Sequence, residues 1–155
     1  MAKLEFDNYE ITEDIRDFIL GGKADFTIHQ EATDRSKDAQ YKYIIKANEN
    51  STCWFVSTEM LEGVPIPENM YTTSRNCVYQ GYLKRDMSFN IGKKGIADYN
   101  ERAINGLLWV LRNAANLPPF VHVYHHGKCS KCGRKLTDAK SLRCGMGPKC
   151  RGDVK

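Results

Sequence analysis

Long apolar runs are missing from this 155-residue chain. The longest is Leu107-Leu108-Trp109-Val110-Leu111, far short of the roughly 20 residues a membrane-spanning helix needs, so no segment is expected to cross a bilayer. The opening Met1-Ala2-Lys3-Leu4-Glu5-Phe6-Asp7 places acid where an export signal carries its apolar core. A cytoplasmic location is therefore expected, with the six cysteines reduced, as thiols or metal ligands rather than disulfides. The sequence also lacks a nucleophile elbow, a phosphate loop of the form G-x-x-x-x-G-K-S/T, and any paired-acid motif. No Phe, Trp or Tyr occurs from His125 to Lys155, so that stretch cannot stack unpaired bases on aromatic rings. With 41% hydrophobic and 27% charged residues, disorder, collagen and extended coiled coil are excluded, and one domain with a small appendage fits.

The net charge of +4 hides an asymmetry. Residues 125–155 hold nine Lys/Arg against two acids, a formal +7, which leaves fourteen bases against seventeen acids, or −3, for residues 1–124. A mildly acidic body with a strongly basic end suggests a polyanionic partner, nucleic acid first among them. The expected division is accordingly an α+β body over 1–124 and a basic zinc-binding module over 125–155.

Within the body, Thr12 is a good N-cap for a short helix over 13–20, with acids in its first turn and Gly21-Gly22 ending it. Ala24 to Gln30 alternates like a half-buried strand, with Phe26 and Ile28 on one face and Asp25, Thr27 and His29 on the other. Tyr41–Ala47 and Cys53–Thr58 read as strands joined by a hairpin at Asn48-Glu49-Asn50-Ser51. Met60 to Ser74, with Pro65 and Pro67, reads as loop. Cys77–Leu83 and Met87–Ile91 fit two more strands, before Gly92-Lys93-Lys94-Gly95. From Asp98 the three- and four-residue spacing of Ala103, Ile104, Leu107, Leu108, Leu111, Ala114 and Ala115 predicts the chain's strongest helix, ended by Pro118-Pro119. Phe120, Val121 and Val123 form a last short strand. The fold class expected is α+β, an antiparallel sheet packed against one long helix, with a small C-terminal treble-clef-like zinc module.

Chemistry concentrates at the end. Cys129-x2-Cys132, then Cys144 and Cys150, place four thiols within residues 129–150. A CxxC turn sets two sulfurs on one side of a tight knuckle, and a second pair can complete a tetrahedron around a soft divalent ion, zinc above all. Gly133 suits the turn after the knuckle, and Gly145, Gly147 and Pro148 let the chain bend into the last ligand. A redox CxxC would call for a thioredoxin-like βαβ setting, which the pattern does not offer, and would leave Cys144 and Cys150 unexplained. An all-thiolate site leaves no open position, so the one zinc ion expected is structural. Cys53 and Cys77 read as small buried residues.

The run His125-His126-Gly127-Lys128-Cys129-Ser130-Lys131-Cys132-Gly133-Arg134-Lys135-Leu136-Thr137, then Ser141, then Gly145-Met146-Gly147-Pro148-Lys149-Cys150 resembles the C-terminal signature of small phage-encoded proteins carrying a domain of unknown function. Their pattern is H-x-G-x-C-x-x-C-G-R-x-L-T, a Ser, then G-x-G-P-x-C. Phe18 to Thr27 and Trp54-Phe55-Val56 are similar to strands of the same family. The resemblance implies a phage origin and a zinc motif, and brings no activity. It also bears on the fourth ligand. Composition alone selects Cys129, Cys132, Cys144 and Cys150; the resemblance selects His125 with Cys129, Cys132 and Cys150. His125 can equally be an exposed residue at the neck of the motif.

The function expected is binding of DNA or RNA backbone by Lys128, Lys131, Arg134, Lys135, Arg143, Lys149 and Arg151. The alternative is an inhibitor that captures a host or defence protein, with zinc as a folding staple. Catalysis is not expected: His122, His125 and His126 precede the cysteine knuckle, whereas metal-dependent nucleases of this histidine-rich kind carry theirs within or after it. Tyr41, Tyr43, Tyr71, Tyr79 and Tyr82 read as sheet packing rather than base-stacking surface. Chelation is expected to unfold the tail and leave the body folded.

Overall fold

A computed structural model of the protein describes residues 10–34, 39–50, 52–59, 77–90, 101–148 and 150. Its frame is a six-stranded antiparallel sheet, ordered β5-β4-β3-β2-β1-β6. The strands are β1 (Lys23–Gln30), β2 (Ala39–Ala47), β3 (Cys53–Glu59), β4 (Cys77–Lys84), β5 (Phe89–Asn90) and β6 (Val121–His125), and the helices α1 (Ile15–Ile19), α2 (Glu101–Arg112) and α3 (Ala139–Cys144). The loops expected over 60–74 and 92–95, and Tyr71 with them, lie outside the described residues.

Period-two patterning sets the strands. Tyr43 and Ile45 on β2, Trp54 and Val56 on β3 and Leu83 on β4 turn to one buried face. Asn48 shapes the β2–β3 hairpin: its Oδ1 accepts from the Thr52 N–H at 2.8 Å, and its own N–H donates to the Cys53 carbonyl at 3.0 Å. Phe26 stacks on Tyr43 with centroids 5.1 Å apart, and Phe18 of α1 meets Phe26 edge-on at 5.7 Å. These rings join Ile104, Leu107, Val110 and Leu111 of α2 in one apolar cluster, and the Tyr43 hydroxyl donates to the Ala103 carbonyl at 2.6 Å.

The structure departs from the sequence pattern at four places. The strongest helix is 12 residues, an ordinary length rather than a long one. It stops before Ala114 in a tightened last turn: the Asn113 N–H is shared between the Trp109 and Val110 carbonyls, at 3.0 and 3.2 Å, and the Asn113 side-chain amide donates to the Trp109 carbonyl at 2.8 Å; residues 98–100 lie outside the described set. Thr12 does not cap α1. The cap position is Asp14, two residues later, left-handed at φ 55 with no side-chain cap bond, and the segment before it is tied down elsewhere, the Thr12 and Glu13 N–H groups donating to the Arg143 carbonyl at 2.9 and 3.3 Å. β1 is covered on both faces, with Thr27 and His29 buried beside Phe26 and Ile28; it is an interior strand, between β2 and β6. Cys53 is half-buried rather than buried, and the Cys77 side chain is outside the described set.

Candidate metal centre

The tail folds upon itself before it meets the body. Lys128 and Lys135 face each other across an antiparallel bridge, and between them the Cys129 N–H donates to the Arg134 carbonyl at 2.8 Å. Gly133 N–H closes the turn on the Cys129 carbonyl at 2.9 Å. The Lys131 N–H points at Cys129 Sγ from 3.4 Å, which is how a CxxC knuckle stabilises negative sulfur. Asp138 then starts α3, accepting from Ser141 N–H at 3.1 Å and Ser141 Oγ at 2.6 Å. Gly145 ends it in the left-handed conformation, φ 71, with its N–H on the Ser141 carbonyl. Cys129, Leu136, Cys144 and Met146 form a second small buried cluster.

This path brings three of the candidate ligands together. The Sγ atoms of Cys129, Cys132 and Cys150 all lie within 4.8 Å of one another. Zinc–sulfur bonds of about 2.3 Å at tetrahedral angles put sulfurs about 3.8 Å apart, so a small contraction suffices to hold one ion. Cys129 is buried, Cys150 half-buried and Cys132 exposed, and all three are free thiols. Burial raises the Cys129 thiol, but the N–H groups of Gly147, Cys132 and Lys131 and the Cys150 thiol outweigh it and lower it to about 7. Burial and the neighbouring Cys129 and Cys132 sulfurs push Cys150 up to about 11. The cluster thus favours negative charge on one sulfur and resists it on the next, a frustration that a divalent cation relieves.

Neither fourth-ligand candidate joins these three. Cys144 is 1% exposed and turns its thiol to the Met146 carbonyl at 3.5 Å and the Ser141 carbonyl at 3.9 Å. His125 is neither an exposed neck residue nor part of the thiol cluster. It closes β6, is fully buried, and spends both ring nitrogens on backbone: Nδ1 accepts from the Gly127 N–H at 2.8 Å and Nε2 donates to the Leu142 carbonyl at 2.7 Å. Burial lowers its pKa, against the Leu142 bond, which fits a neutral ring. His125 is therefore a clamp from the sheet onto α3.

Of the expected phosphate contacts, Lys128, Lys131, Arg134, Lys135 and Arg143 are exposed, and Arg143 Nε lies 3.7 Å from Glu13 Oε2. Lys149 and Arg151 lie outside the described residues. Tyr43 is core, whereas Tyr41, Tyr79 and Tyr82 are half-buried. Sequence reasoning missed the surroundings of His122. Its Nδ1 contacts Glu10 Oε1, and its Nε2 is 3.4 Å from Glu31 Oε2. The His29 ring stacks 5.9 Å away. The signal in the sequence was only the β1–β6 pairing that opposes His29 to His122, which no local pattern announces.

Among the described residues no helix is long and apolar enough to cross a membrane. The profile of a family of unknown function (DUF6011) matches residues 121–155, the stretch that runs from β6 through all three clustered thiols. No curated protein and no solved structure matches the chain.

Proposed function

We propose that this protein binds nucleic acid through backbone contacts made by a small zinc module at its C-terminus, in a treble-clef-like arrangement of knuckle, hairpin bridge and α3. In this reading zinc is held by Cys129, Cys132 and Cys150, thiolates being the soft donors that select it. It keeps the knuckle in shape rather than performing chemistry. The observation that carries the reading is the Lys128–Lys135 bridge. Like charges directly opposite each other across strands are destabilising, yet here two lysines are paired, and Lys131 and Arg134 stand exposed on the turn between them. A polyanion laid along that turn relieves the repulsion. With no aromatic residue in 125–155, the contacts fall on phosphates and shape rather than on base identity. The phage-like setting rests on the motif resemblance alone.

The test is binding of zinc-loaded protein to labelled double- and single-stranded DNA at two salt concentrations. Charge reversal of Lys131, Arg134 and Lys135 together should weaken binding and flatten the log–log salt slope for duplex by about 2 to 3, since each phosphate contact contributes about 0.9. An unchanged affinity and slope would sink the reading. A stoichiometric host protein that co-purifies after nuclease treatment would replace it with the inhibitor function.

A further inference from the structure

We propose that the thiolate centre of Cys129, Cys132 and Cys150 has an exchangeable fourth position, which takes an imidazole or thiolate donor from a second molecule and holds water in the isolated protein. This rests on the metal reading above and deepens it. Its basis is the way the fold commits the two other candidate donors, His125 and Cys144, to backbone atoms. Among the described residues no further His, Cys, Asp or Glu joins the three sulfurs. For His125 to ligate, it would have to abandon the Gly127 N–H or the Leu142 carbonyl while fully buried in β6, leaving a buried polar group without its bond. Cys144 could ligate only as a thiolate, yet its sulfur faces two carbonyl oxygens, of Ser141 and Met146. Those oxygens welcome an S–H and repel an anion.

The remaining position opens outward. Cys132 is exposed and Cys150 half-buried, so among the described residues nothing encloses that side of an ion held by these sulfurs. Three protein ligands with an open fourth place is the coordination of a site that exchanges ligands, whereas four protein ligands close it. A divalent ion with three thiolates carries a formal −1, and the exposed Lys131 and Arg134 on the knuckle offset it, so an incoming anionic thiolate is not repelled. In the exchange, an imidazole nitrogen or sulfur lone pair enters as water leaves. A thiol gives its proton to solvent, and nothing is oxidised or reduced.

The experiment loads the full chain with zinc and, separately, with cobalt(II). X-ray absorption on the zinc form should count three sulfurs and one lighter donor. Titration of the cobalt form with free imidazole, and in a second arm with 2-mercaptoethanol, should shift the visible bands saturably. Cys144→Ala should leave those bands as they are, and Cys150→Ser should lose the thiolate-to-metal intensity. The sulfur count on the unaltered protein decides the matter even if Cys144→Ala fails to fold. Four sulfurs would overturn the proposal and leave the zinc reading standing. Three sulfurs with bands inert to both donors would also overturn it, assigning the fourth donor to this chain. Failure to retain any ion would bring down the zinc reading and this one with it.

Discussion

At Gly145 the chain turns left-handed, φ +71, and a Cβ built there would fall 2.2 Å from Phe18 Cδ2. Phe18 is itself fully buried against Phe26 and cannot swing aside. Gly145→Ala therefore combines the left-handed penalty with overpacking, and should lower stability by roughly 2–4 kcal/mol in urea titration. Gly147 offers the matched control. A Cβ there meets nothing within 4 Å, so Gly147→Ala should stay within about 0.5 kcal/mol of the parent. Equal losses at the two positions would mean that the Gly145–Phe18 contact is not what fixes this turn.

His122 ties the stability of the fold to pH. Burial pulls its pKa down, but hydrogen bonds with Glu10 and Glu31, and their charges, outweigh burial and raise it above 6.5. A raised histidine pKa stabilises the fold fully below the unfolded value, and the gain is lost as pH climbs through the folded pKa. Stability should therefore fall as pH rises from the unfolded value near 6.5 through the higher folded one, and His122→Gln should flatten that slope in denaturation run across the range. A slope that survives the substitution would assign it elsewhere.

Among the elements, those written in local pattern were legible and those set by distant partners were not. Alternation located β1 to β4 to within two residues at most ends, and the spacing of Ala103, Ile104 and Leu107 located α2. The CxxC spacing with Cys150 located the thiol cluster. Thr12 misled because its own N–H and that of Glu13 are drawn to the Arg143 carbonyl, far along the chain, and the helix starts later, from Asp14. Thr27 and His29 misled because burial of a second sheet face depends on which strands flank β1, and β6 arrives about ninety residues later. His125 and Cys144 are ligand residue types by chemistry; only the backbone atoms around them show that their polar atoms are already committed. The hold of α2 on the sheet has its own check: Tyr43→Phe removes the bond to the Ala103 carbonyl and should cost about 0.5–1.5 kcal/mol, measured by denaturant titration. No loss would mean that apolar packing alone seats the helix.

At the scale of the whole molecule, the tail and the body are stitched together at several separate points. Lys23 N–H donates to the Ser130 carbonyl at 2.5 Å, and Thr12 N–H to Arg143 at 2.9 Å. His125 holds Leu142, Gly145 lies against Phe18, and a Cβ at Gly21 would strike Ser130 Oγ at 2.3 Å. Sequence reasoning expects chelation to unfold the tail alone. These contacts argue that the damage spreads, since the knuckle that presents Ser130 is the part the ion would hold. On chelation, hydrogen exchange should accelerate at Cys129 and Leu136 and also at Thr12 and Lys23, while Ile45 and Val56, in the middle of the sheet, stay protected. If Thr12 and Lys23 keep their native protection without metal, the seam between tail and body holds by packing alone, and the ion organises nothing beyond its own knuckle.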